Sequence, residues 1–201
     1  MLNDHTSDFT PHVLRFFARC LLFPYEEMVY ELQHMFRKIE SIAGNEDELL
    51  TGHEILAVLN TFQGEDIDIL RADYVFLFSN RDHSEPACPM LAGDFCARFA
   101  ISYQPDDFVD LLYQNDFLPG DDESIDSVVN YLEYFAALFE TGAYGSDSPA
   151  MVQEFFTGHI ITWIPAFCNA LYKSANTSFY RELAGALKRF LLSGVTDEFP
   201  G

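Results

Sequence analysis

The sequence predicts an all-α protein, a single-domain bundle of about eight to ten helices with no sheet. Apolar residues recur at three- and four-residue steps along most of the chain. Proline, glycine and Ser/Asp clusters fall mainly between those periodic segments. The 201 residues are 49% hydrophobic, enough for a substantial core, and no internal repeat or long linker divides them.

Taken in order, Thr10 before Pro11 predicts an N-cap and first helical residue. The helix that follows carries Val13, Leu14, Phe16, Phe17, Leu21 and Leu22, and Pro24 ends it. A second helix is expected from Tyr25 to Ile42, with Gly44 placed to terminate it. Helices from Glu54 to Phe62 and from Ile67 to Phe78 come next; the Y-V-F-L-F run inside the latter has strand-like composition but stands alone. Asn80 to Pro89 reads as loop, and Leu91 to Tyr103 as helix. Pro105, Asp106 and Asp107 open a short helix with two carboxylates at its positive end. Ser124 to Glu140 is a longer helix, Gly142 to Ser148 a loop, and Ser148 with Pro149 the start of another helix.

The longest uncharged run, Phe155 to Tyr172, has 18 residues, a length at which a membrane span must be weighed. It holds Gly158, His159, Pro165, Asn169 and two threonines, with no basic cluster before it, and reads as buried helix. Pro165 predicts a kink or a late helix start, because its ring collides with the carbonyl of residue i−4, Ile161. His159, Trp163, Phe167 and Leu171 lie four apart, a stripe that serves equally as core or as a site.

Thirty-two acidic residues against 11 basic ones give a net charge of −21. Such a chain repels nucleic acid and anionic lipid and attracts cationic peptides. From Phe99 to Tyr172 there is no Lys or Arg, against 12 Asp and Glu. The opening M-L-N-D-H-T-S-D has acidic residues where a secretory signal has basic ones, so a cytoplasmic location is expected. Four cysteines, at 20, 88, 96 and 168, form no C-x-x-C pair and read as reduced, packed thiols.

Phosphate-loop, dinucleotide, serine-hydrolase and H-E-x-x-H motifs are absent. His83, Glu85 and Cys88 echo part of a zinc deaminase signature without its P-C-x-x-C. A small all-α enzyme or metal-binding protein using those three is therefore one reading, and a structural assembly partner of a respiratory complex is another.

Glu154, His159, Trp163, Pro165 and Phe167, followed by Phe179, Tyr180, Leu183 and Ala184, give E-x4-H-x3-W-x-P-x-F and then F-Y-x-x-L-A. This resembles the C-terminal signature of the TorD/DmsD/NarJ-type cytoplasmic chaperones that help molybdoenzymes mature. Asp73, Tyr74, Leu77 and Phe78, before a loop containing Pro86 and Pro89, resemble the family's D-Y-x-x-L-F segment. Asp126 to Phe135 resembles a third segment, with Ser127 where the family often has histidine. Cys88, Pro89 and Met90 stand where a Pro-Tyr pair is common. The likeness runs from about residue 71 to 192.

The resemblance implies a non-catalytic protein, with no cofactor of its own, that binds the twin-arginine signal peptide or the apo-form of a molybdoenzyme catalytic subunit before export. It further implies dimers formed by helix exchange, for which Gly142 to Ser148 is a candidate hinge. Carboxylates hydrogen-bond guanidinium groups, and an aromatic groove takes the apolar stretch after them. Asp122, Glu123 and Asp126 are the candidates for the charged end. Tyr74, Leu77, Phe78, Pro89, His159, Trp163 and Phe167 are the candidates for the groove, and Ser127 is a further signal-peptide-binding candidate. Leu77, Phe78 and Phe167 also read as core, Asp126 as a helix-start carboxylate, and His159 as a neutral histidine bonded to a backbone carbonyl.

Overall fold

The computed structural model describes residues 6–79, 85–115, 117, 125–140 and 148–194. Among them are ten α-helices and no β-strand. These are α1 (Thr6–Cys20), α2 (Met28–Ile42), α3 (Glu46–Gly64), α4 (Ile67–Phe78), α5 (Ala92–Phe99), α6 (Asp106–Gln114), α7 (Val128–Phe139), α8 (Ser148–Phe155), α9 (Ile164–Ser174) and α10 (Ser178–Arg189). A π turn, Phe156–Ile160, joins α8 to the approach of α9, and a second, Phe190–Gly194, follows α10. The all-α expectation holds, and the Y-V-F-L-F run is helix.

Helix α7 occupies the middle of the core, because nine of its twelve residues are buried and a helix apolar on every side must be surrounded. Helix α1 packs along it through Val13, Leu14, Phe16 and Phe17, all 0% exposed. Glu133, the one charged residue on α7, reaches Arg15 of α1 at 3.4 Å, and Arg15 also holds Glu140. Helix α10 buries Phe179, Tyr180, Leu183 and Leu187 against α9 and α3, and α2 fills the space between α1 and α3.

Several boundaries differ from the sequence reading. Helix α1 begins at Thr6, so Pro11 lies inside it and gives up one backbone bond instead of opening the helix. Helix α2 starts three residues after Tyr25, whose hydroxyl donates to Glu31 at 2.6 Å while Arg19 bonds both groups. Helix α3 is more than twice as long as expected: Asn45 accepts from Glu48 N at 2.9 Å, and the Glu48 carboxylate accepts from Gly44 N at 2.5 Å, an N-terminal box hidden in the polar run N-E-D-E. Helix α7 begins only at Val128, where Ser127 caps it by accepting from Asn130 N. Helix α5 stops at Phe99 because Ala100 turns left-handed (φ 53°) and Ile101 N bonds Cys96 O at 2.9 Å.

At Pro165 the late start occurs. The chain leaves the π turn at Ile160, passes through a non-helical Trp163 and re-enters helix at Ile164. Thr157 and Thr162 donate to carbonyls one turn back within this irregular stretch.

Two carboxylates fasten segments distant in sequence. Asp73 of α4 accepts from the backbone N–H of Asn176 and Thr177 and from both their side chains, at 2.8–3.2 Å. It thereby caps the start of α10. Asp126 accepts from Gly93 N at 3.0 Å at the start of α5, beside an antiparallel bridge between Leu91 and Ser127.

Candidate functional site

A row of aromatic rings connects the three segments singled out in the sequence. It runs from Phe23 and Tyr74 (5.2 Å between centroids) to Phe78 (4.9 Å), Phe167 (6.5 Å), Trp163 (6.0 Å) and Tyr131 (5.2 Å). From Tyr131 it continues to Tyr103 (6.2 Å) and His159 (6.0 Å). The ends of the row are partly exposed, and its middle is core: Trp163, Phe167 and Tyr131 are 0% exposed.

The His159 end is built from four segments. The left-handed Ala100 swings the chain after α5 so that the Tyr103 hydroxyl meets His159 Nδ1 at 2.8 Å. The same hydroxyl lies 2.8 Å from that of Tyr131 on α7. Phe108 of α6 stacks on Tyr131 at 3.7 Å, and Phe155 at the end of α8 stacks on His159 at 5.0 Å. His159 is half-buried, and its partner is a phenol, not the backbone carbonyl expected.

Burial pushes His159 below its ordinary value of 6.5, with Asp107 and Glu154 pulling the other way. Burial likewise pushes the Tyr103 and Tyr131 phenols up, with Asp107 and Asp126 adding to it at Tyr103 and Asp126 adding to it at Tyr131. The floor of the site is therefore uncharged at neutral pH, while Asp107, Asp126 and Glu154 come to it from three different segments. Carboxylates around aromatic faces and a neutral imidazole form a set whose chemistry suits a cationic group. The cysteines are poor nucleophiles, since burial raises Cys96 to about 11 and Cys168 to about 12.

The structure sorts the sequence candidates. His159 bonds Tyr103, and Asp126 acts on the same phenol through its charge; both residues are half-buried. Tyr74 and Phe78 are partly exposed at the other end of the row. Leu77, Trp163 and Phe167 offer no surface to a ligand, because neighbouring rings enclose them; they back the two ends instead. Pro89 and Ser127 are buried, and Ser127 is committed to capping α7. Asp122, Glu123, His83 and the 142–147 loop lie outside the described residues. Glu85 is exposed and Cys88 buried, and among the described residues no three His, Cys, Asp or Glu gather as a metal site requires. Four residues of the site went unmarked in the sequence: Tyr103, Phe108 and Tyr131, whose contacts are long-range, and Asp107, which read only as a helix-start carboxylate.

A groove of about 900 Å³ lies elsewhere, between α1, α3 and α10, and shares no lining residue with the His159 site. Its cations are already engaged, Arg189 by Glu54 and Lys188 by Asn169. Asp47, Glu48 and Glu54 line it beside these cations, so its charges are mixed and it holds no histidine, and the site is assigned to the His159 end on chemistry.

No helix among the described residues is long and apolar enough to cross a membrane. The chain matches no protein-family model and no curated protein at a significant level.

Proposed function

We propose that this protein is a non-catalytic, cytoplasmic maturation chaperone of the TorD/DmsD/NarJ type. In this reading it binds the basic twin-arginine leader, or the apo-form, of a molybdoenzyme catalytic subunit while the cofactor is inserted and before export. The observation that carries the reading is the convergence of Asp107, Asp126 and Glu154 on the neutral Tyr103–His159 pair, inside a 74-residue stretch without Lys or Arg. Each leader guanidinium meets rim carboxylates in charge-assisted bonds, and the low positive charge nearby removes competition for them. Tyr74 and Phe78, with Phe23 against them, form the second partly exposed aromatic surface and suit the apolar stretch of a leader.

Isothermal calorimetry at low salt tests this with a twin-arginine leader peptide and a copy carrying glutamine at both arginine positions. The arginine peptide binds and the glutamine peptide does not. Equal affinity for the two, or none for either, overturns the proposal.

A further inference from the structure

The Tyr131–Tyr103–His159 chain has one favoured direction. Tyr131 is fully buried, and among the described residues its hydroxyl has a single hydrogen-bond partner, Tyr103. A buried hydroxyl hydrogen with no acceptor is costly, so Tyr131 donates to Tyr103. Tyr103, polarised by that bond, donates its own hydrogen to His159 Nδ1. The ring proton is then on Nε2, which makes no hydrogen bond among the described residues.

We propose that Tyr131 acts through Tyr103 as a positioning residue that presents His159 as an Nε2–H donor, so that the site reads a peptide main-chain carbonyl next to a guanidinium rather than a guanidinium alone. The ligand half rests on the reading above; the tautomer half does not. A donor at His159 is useless to a guanidinium, which has no acceptor. It suits the carbonyl oxygen of an arginine residue whose side chain reaches Asp107, Asp126 or Glu154. The groups facing His159 are then Glu154 from its own segment, Asp107 from α6, Tyr103 from the α5–α6 connection and, through Tyr103, Tyr131 from α7.

Nitrogen-15 spectra of the full chain labelled at histidine report both halves. In the wild type His159 shows an unprotonated Nδ1 and a protonated Nε2. In Tyr131→Phe, Tyr103 loses its donor and its oxygen accepts from the ring more readily, so the Nδ1 signal moves toward the protonated position. Acetyl-arginyl-arginine amide shifts the Nε2 signal and methylguanidinium does not, and Tyr131→Phe weakens the dipeptide amide about fivefold, the worth of one hydrogen bond. Tyr103→Phe, which removes the direct partner, raises the His159 titration midpoint and serves where the first variant folds poorly. A protonated Nδ1 in the wild type, or a signal unmoved by Tyr131→Phe, overturns the positioning role. Dipeptide binding that leaves Nε2 unmoved overturns the carbonyl contact while sparing the proposed function. No binding, with the tautomer as stated, overturns the proposed function and leaves the positioning of His159 standing.

Discussion

Asp73 and Asp126 are both carboxylates that cap the start of a helix belonging to a different segment, yet they leave very different remainders. Asp73 is 4% exposed, and both its oxygens are engaged by Asn176 and Thr177. The half-buried carboxylate of Asp126 accepts one hydrogen bond among the described residues, from Gly93, while its charge reaches Tyr103, Tyr131 and Cys96. A carboxylate that is buried and saturated is architecture. One that is partly satisfied and touches solvent keeps capacity for a ligand. The two ends of the aromatic row differ accordingly, the α4 end pinned by Asp73 and the His159 end ringed by carboxylates with capacity to spare.

The difference can be broken first at its strongest point. Asp73→Ala leaves the buried N–H and hydroxyl of Thr177 without an acceptor, and urea denaturation should show a loss of about 3 kcal/mol. Asp126→Ala removes a single cap bond and should cost about 1 kcal/mol, so near-equal losses would erase the distinction. Its binding effect is the reverse: Asp126→Ala weakens an arginine peptide, whereas a folded fraction of Asp73→Ala retains affinity.

A smaller effect comes from pH. The folded-state value of His159 lies below the 6.5 of an unfolded histidine, so the unfolded chain binds the extra proton. The stability contributed by neutral His159 is complete above 6.5 and is lost as pH falls through the lowered folded value. His159→Gln should flatten that part of the pH profile of denaturation; an unchanged slope would place the ring in solvent. Smallest of all, Phe76→Ser on the outer face of α4, where Phe76 is 52% exposed, should change stability by less than about 0.5 kcal/mol.

Much of this fold was legible because local rules and tertiary packing agreed. Helix α4 spans Ile67–Phe78 as its periodicity predicts, and the break before α9 follows from the missing N–H and ring of Pro165. Disagreement arose where the deciding residue looked ordinary. Ala100 ends α5 in a conformation usually left to glycine, and the Asn45–Glu48 box starts α3 within a run that reads as polar loop. The site was half legible. His159 and Asp126 stood in recognisable spacing, but Tyr103 bonds His159 across 56 positions and Tyr131 across 28, separations that no periodicity encodes. Trp163 and Phe167 illustrate the converse: a helical stripe cannot distinguish a groove from the core behind it, and here the rings on either side decide for the core.

The carboxylate rim as the receiver of a cationic peptide is tested most directly by the salt dependence of binding. A twin-arginine leader should bind the wild type at low salt and weaken steeply as salt is raised, because partly exposed charges are screened over about 10 Å at 0.1 M. The double variant Asp107→Lys/Asp126→Lys, folded by circular dichroism, should bind weakly with a nearly flat salt response. The same affinity and the same salt slope in both proteins would contradict the account.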